Sequence, residues 1–224
     1  MQQKKLIQIY KNIFPIFFLG LFSFFINFHY GFIGIMPSDN TVLYNGGYRI
    51  LNGYVPFTDY WLVTGPLLDY LNAFFFYLLD VSWKSYIIHS SFFNLLLAIA
   101  TYYLFLKIGQ SKIYSFFYSI LISVLFYPTV GTPFVDHHST FFLLIAFYSF
   151  IYGTISKNYF FFSIIPFLFC LSFLSKQTPA AYGVISIGIL ILSFMFLRKK
   201  EFKAIFVSLF FGSIFAFSFL IIFF

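Results

Sequence analysis

The chain reads as a series of long apolar runs separated by short polar joints. The runs cover residues 13–35, 86–106, 113–127, 141–156, 159–174, 180–197 and 204–224. A helix crossing roughly 30 Å of hydrocarbon needs about 17 to 25 such residues, and most of these runs reach that length. The first is 23 residues long, too long for a signal-peptide core, and no small-residue cleavage site follows it, so it reads as an uncleaved span. The third and fifth are 15 and 16 residues, which makes their boundaries the loosest. The pattern predicts an all-α, polytopic transmembrane helix bundle of about seven spans.

One stretch breaks the pattern. "MPSDNTVLYNGGYRILNGYVPFTDYWLVTGPLLDYLNAFF", residues 36–75, sets Asp39, Asp59, Asp69, Arg49 and several glycines and prolines directly after the first run. Inside it, residues 67–79 are apolar but bracketed by Pro66 and Asp80 and interrupted by Asp69 and Asn72. Positive charge decides whether this segment crosses, because inner loops are enriched in Lys and Arg. If it does not cross, Lys4, Lys5, Lys11, Lys107, Lys112, Lys157, Arg198, Lys199, Lys200 and Lys203 lie inside and Arg49, Lys84 and Lys176 outside, 10 against 3. If it crosses, every later loop inverts and the count becomes 5 against 8. The first arrangement wins. The N-terminus is then inside, residues 36–85 form a large first outer loop, and 67–79 is an interfacial or re-entrant helix with Asp69 and Asn72 on one side.

Composition agrees with this reading. Hydrophobic residues make up 61% of the 224 and charged residues 8%, against roughly 25% charged in an average soluble domain. The 40 Phe residues rise together with Ile, Tyr, Asn and Lys, as AT-rich codons would produce, so they do not by themselves define an aromatic ligand site. A single Cys170 excludes a disulfide framework and a Cys-based metal site. The six acids add something the topology did not assume: Asp39, Asp59, Asp69, Asp80 and Asp136 all fall outside, and only Glu201 inside. Acids contribute little to orientation, which leaves outward-facing chemistry or plain solvation of the outer loops as the cause.

Three outer clusters collect the candidate chemistry. The first is 36–75. The second is "PTVGTPFVDHHST", 128–140, carrying Asp136, His137 and His138, and the third is "LSKQTPA" around Lys176, in a connection too short to be a solvated domain. Ionisable groups so close to a membrane usually have a partner or a task. Asp39 and Asp136 each have a functional reading and a helix-end solvation reading. Asp-His-His alone is a weak metal signature without a third spaced ligand, and His137 and His138 equally suit an interfacial loop. His29 and His89, in or near apolar runs, read as packing residues.

"SDNTVLYNGGYRILNGYVPFTDYWLVTGPLLDYLNAFFFYLLD" resembles the first external loop of GT-C membrane glycosyltransferases, in particular bacterial relatives of protein O-mannosyltransferase and aminoarabinose transferase. That family shows an Asp soon after span one, a "G.RIL.G..P(F/Y).D" segment, and a "(G/P)P...Y.L.A" helix on the membrane. Here these are Asp39, residues 47–59 and residues 65–73, in that order. Asp136 in the second outer loop and Lys176-Gln177-Thr178 in the third also match the arrangement. The chain departs from several relatives with Asp39-Asn40 in place of Asp-Glu and Thr64-Gly65-Pro66 in place of Lys-Pro-Pro.

The resemblance implies transfer of a sugar from a polyprenyl-phosphate carrier to a hydroxyl of a glycan, lipid or protein acceptor, at the outer face of a bacterial inner membrane. The partners it implies are that carrier and the bilayer, with no nucleic acid. Asp39 is then the general base. Lys176 and Arg49 are the cations for the lipid phosphate, with His137, His138 and Asp59 in supporting binding roles. Asp136 orients the acceptor or holds a divalent ion against the phosphate. The helix at 67–79 would wall the isoprenoid tail. Two other classes stay open, a polytopic transporter and a non-catalytic assembly subunit. A transporter would be marked by internal repeats, paired broken helices or mid-span acids, and the sequence shows no convincing example of these. The chain stops at "FLIIFF" inside its seventh run, the expectation for the N-terminal part of a longer GT-C-like chain or for a protein that works with a partner.

Overall fold

The computed structural model is all-α, and it describes the backbone of residues 2–34 and 36–223 and the side chains of 14–34 and 36–221. The helices are α1 (Gln2–Tyr30), α2 (Pro37–Leu51), α3 (Leu67–Leu79), α4 (Trp83–Lys107), α5 (Lys112–Leu125), α6 (Val135–Ser156), α7 (Phe160–Ser163), α8 (Ile165–Ser175), α9 (Gln177–Leu197) and α10 (Phe202–Phe223). A 3-10 turn, Tyr127–Thr129, follows α5. Among the described residues, four helices are long and apolar enough to cross a membrane: Trp83–Lys107, Val135–Ser156, Gln177–Leu197 and Phe202–Ile221. The segments Phe14–Tyr30, Leu67–Leu79 and Phe160–Ser175 are shorter apolar helices. The protein is therefore a multi-pass membrane protein. Ile35 and Phe224, the ends of the first and last expected spans, and the side chains of Lys4, Lys5 and Lys11 lie outside the described residues.

Local chemistry explains the boundaries. Ser82 and Ser111 sit in extended conformation before α4 and α5, and their hydroxyls accept from the Ser85 and Tyr114 N–H groups, satisfying donors that no carbonyl inside the helix can reach. Between α7 and α8 the helix breaks just before Pro166, which has no N–H to give and crowds the preceding turn. Helix α3 matches the expected 67–79 segment. Elsewhere the structure corrects the reading. Within the expected first outer loop, Pro37–Leu51 form a helix of their own, α2. Helix α6 starts at Val135 rather than 141, so Asp136, His137 and His138 occupy its first turn. Helix α9 starts at Gln177, leaving Lys176 as a one-residue link after α8.

The chain forms two compact units, Met1–Leu51 with Leu71–Phe134, and Asn52–Tyr70 with Val135–Phe224. In the first, Leu19, Ala98 and Tyr102 form a buried cluster flanked by Ile16, Leu106, Phe116 and Ile120. A polar seam runs beside it. Asn94 Nδ2 donates to the Ser23 and Ser123 carbonyls at 2.8 and 2.9 Å, and Asn27 Nδ2 lies 2.9 to 3.1 Å from Ser90 Oγ, Ser91 Oγ and the Gly131 carbonyl. In hydrocarbon, helices gain nothing from hiding Leu from water, so small residues and interhelical hydrogen bonds carry much of the association. Ser115, Ser119 and Ser123, one turn apart on α5, are all buried. In the second unit Leu143, Ala146, Phe162, Ile165, Ile187, Ile191, Met195 and Ile205 form the core, drawn from α6 to α10.

Candidate functional site

In the second unit, Lys176 Nζ donates to Asp136 Oδ2 at 2.8 Å, with the two side chains 31% and 38% exposed. Two buried serines hold the backbone beneath the pair. Ser139 Oγ lies 2.8 Å from Ser172 Oγ, Ser172 Oγ donates to the Ser139 carbonyl at 3.0 Å, and Ser139 Oγ donates to the Lys176 carbonyl at 3.2 Å. Lys176 is extended (φ −158°, ψ 130°), and its own side chain makes no capping hydrogen bond to α9. The result is a half-exposed ammonium at the first turn of a 21-residue helix, where backbone N–H groups and the helix dipole favour an anion. His137 is half-buried and His138 fully buried in the first turn of α6.

The 52–70 segment of the same unit packs against the end of α8. A Cβ on Gly65 would fall 1.9 Å from the Leu174 carbonyl oxygen, so only glycine permits this approach, two residues before Lys176. Asp59 closes a turn: its Oδ2 accepts from the Val55 N–H at 2.7 Å, its own N–H donates to the Val55 carbonyl, and Phe57 takes φ +66°. Asp69 is 2% exposed, and the Tyr60 hydroxyl donates to its Oδ2 at 2.8 Å.

In the first unit, Asp39 stands exposed in the first turn of α2, where the helix dipole favours a carboxylate, with Ser38 Oγ at 3.4 Å from its Oδ1. Arg49 lies in the last turn of the same helix, about 15 Å along the axis from Asp39 at 1.5 Å per residue, so α2 does not pair the two. Gly47 lets α2 lie close on α3: a Cβ there would meet Asn72 Cβ at 2.6 Å. Asn72 Nδ2 donates to the Leu43 carbonyl at 3.0 Å, which fixes the amide so that Oδ1 faces His89 Nδ1 at 2.7 Å. His89 Nδ1 therefore carries the proton. Its ring is buried and stacks on Phe75 at 4.7 Å, the packing role expected of it. His29, by contrast, is exposed at the end of α1.

Asp80 lies between α3 and α4 with φ +143°. The Ser82 and Ser85 hydroxyls donate to its Oδ1 at 2.5 and 2.6 Å and hold its pKa below the ordinary carboxylate value, with a smaller contribution from Lys84. Tyr44, on α2, is pushed the other way, first by burial and then by the Asp80 charge.

Sequence reading missed Ser139 and Ser172, which support Lys176, and Asn72 as the bond joining α2, α3 and α4. Serine and asparagine in apolar runs are the available signal, and they do not say which partner they find. Among the described residues, no three His, Cys, Asp or Glu side chains come together. Asp136 has Lys176 on one of its oxygens. No family model, curated protein or solved structure matches the chain.

Proposed function

We propose that the protein is a membrane glycosyltransferase moving a sugar from a polyprenyl-phosphate carrier to an acceptor hydroxyl at the extracytoplasmic face. In this reading the chain crosses about seven times with its N-terminus inside, α3 lies at the outer interface, and the host is a bacterial inner membrane. The observation that carries the proposal is the Lys176 link: a cation steered by Asp136, seated on two buried serines, at a helix N-terminus with no side-chain cap from Lys176. That is an arrangement for a phosphate, and the leaving group of this reaction is a lipid phosphate whose charge grows as the glycosidic bond breaks. Fixed donors stabilise such charge far better than mobile water does.

Asp39 is the general base. An acceptor oxygen attacks the anomeric carbon as its proton passes to the carboxylate, and the carbon–oxygen bond to phosphate breaks with the electron pair leaving on the carrier. Exposed at a helix start, Asp39 can take that proton. The order of the family-like elements in the sequence, from Asp39 to Lys176-Gln177-Thr178, supports the same reading.

Mass spectrometry of polyprenyl-phosphate sugars incubated with membranes containing the protein tests it. Asp39→Asn should slow loss of the sugar by roughly two to four orders of magnitude with membrane insertion unchanged. Equal rates in both forms would remove Asp39 from the base role, and no turnover of any donor by the unaltered protein would sink the transferase reading.

A further inference from the structure

One turn into α2, within the first unit, lies a hollow of about 220 Å³ lined by Asn40, Thr41, Tyr44, Asn45 and Trp83. The described hollows along α1 are walled almost entirely by apolar side chains. This one combines two amides, a hydroxyl, a phenol and an indole, and no charge. We infer that it is a binding subsite for a single neutral monosaccharide ring.

The chemistry of the lining selects that class. An anion or cation would enter without a counter-charge among the lining residues and lose its hydration. A purely apolar ligand would strip water from the amides and hydroxyls and return no hydrogen bond. A pyranose satisfies both demands, because its C–H face lies against an aromatic ring while its hydroxyls reach side-chain amides. The volume equals roughly seven waters at about 30 Å³ each, room for one ring and not for two.

The floor carries an independent signal. Asn40 is 2% exposed and its Oδ1 accepts from Thr132 Oγ1 at 2.9 Å, yet its buried Nδ2 makes no hydrogen bond. A buried donor left unmade is costly and rare; Nδ2 is shut off from solvent in this conformation, so a sugar hydroxyl would meet it once the Asn40 side chain turns toward the hollow. The wall is already in place. Tyr44 packs against Phe76, Tyr86 and Trp83 at ring distances of 4.8, 5.5 and 6.4 Å, and Trp83 Nε1 donates to the Gly31 carbonyl at 3.3 Å. Rings held this way lose little freedom when a ligand arrives. Thr41 and Asn45 are exposed at the rim.

The inference rests on the transferase reading for the source of the sugar, which is either the carrier-linked donor or a saccharide acceptor; the pocket chemistry is common to both. The test uses the full chain in nanodiscs with Trp61→Phe, which leaves Trp83 as the sole tryptophan. Methyl glycopyranosides of several configurations are titrated against its fluorescence, alongside a farnesyl-phosphate form of each sugar. A saturable change that Asn45→Ala weakens about tenfold, the loss of one hydrogen bond, is expected. Asn45 is exposed, so that variant spares the fold, and Asn40→Leu should act in the same direction. A response to the free glycosides points to an acceptor sugar, and a response confined to the phosphate-linked forms to the donor. No saturable change with any probe, or one indifferent to Asn45→Ala, overturns the pocket even where sugar transfer proceeds. Binding here without turnover of any donor overturns the transferase reading and leaves the pocket standing.

Discussion

At the scale of single residues, the structure assigns different tasks to carboxylates that look alike in the sequence. Asp59 and Asp69 each have an oxygen engaged by the 52–70 segment, Asp136 steers Lys176, and Asp39 stands open on a helix start. Asp80 is held by two serine hydroxyls that prefer it ionised. Its folded pKa lies below its ordinary value of 3.8, so its contribution to stability is present above about pH 4 and is lost as the pH falls through the depressed folded value. Thermal melts of the wild type and Asp80→Asn should therefore differ at pH 7 and converge only once the pH falls below the depressed folded value. Ser82→Ala removes one of those donors and the α4 cap together, and should cost about 1 kcal/mol at neutral pH. A Ser82→Ala melt that matches wild type would show that the cap contributes nothing.

At the scale of elements, contact distances sort the glycines. Gly47 and Gly188 both lie inside helices, yet an added methyl meets Asn72 Cβ at 2.6 Å in one case and nothing within 4 Å in the other. Gly47→Ala must push α2 off α3, straining the Asn72 bond to Leu43, at a cost of about 1 to 3 kcal/mol. Gly188→Ala should leave the melting temperature unchanged or higher, since Ala is the better helix former. Equal effects at the two positions would refute the close packing of α2 on α3. The motif "GGYRILNG" thus has a local physical meaning in this chain: one of its glycines is the contact point of α2 on α3.

At the scale of the whole molecule, the lipid environment shows in which side chains face outward. Helices α9 and α10 leave Ile189, Phe196, Phe210 and Phe211 exposed, as suits side chains that meet hydrocarbon. Because Cys170 is buried, it provides a quiet background for labelling. Under the proposed topology, Val63→Cys and Thr129→Cys should react with a membrane-impermeant maleimide in intact cells, and Lys157→Cys and Lys200→Cys only after permeabilisation. The reverse pattern would invert the topology and place Asp39 and Lys176 on the cytoplasmic side.

Run length and composition, read along the chain, determined the helical class, the membrane and the bounds of α3, because twenty apolar residues in a row have few alternatives to a spanning helix and Pro66 and Asp80 bracket the shorter one. Helix α2 escaped that reading because its glycines and polar residues make a weak helix signal in isolation; its stability comes from Gly47 lying on α3 and from the bonds of Asn40 and Asn72, contacts between residues far apart in sequence. Likewise Lys176 and Asp136 were legible as candidates one at a time, but they lie 40 residues apart. Only the folding of α6 against the α8–α9 link, latched by Ser139 and Ser172, made them a pair, since hydrogen-bond partners across helices depend on packing and leave no periodic trace in the sequence.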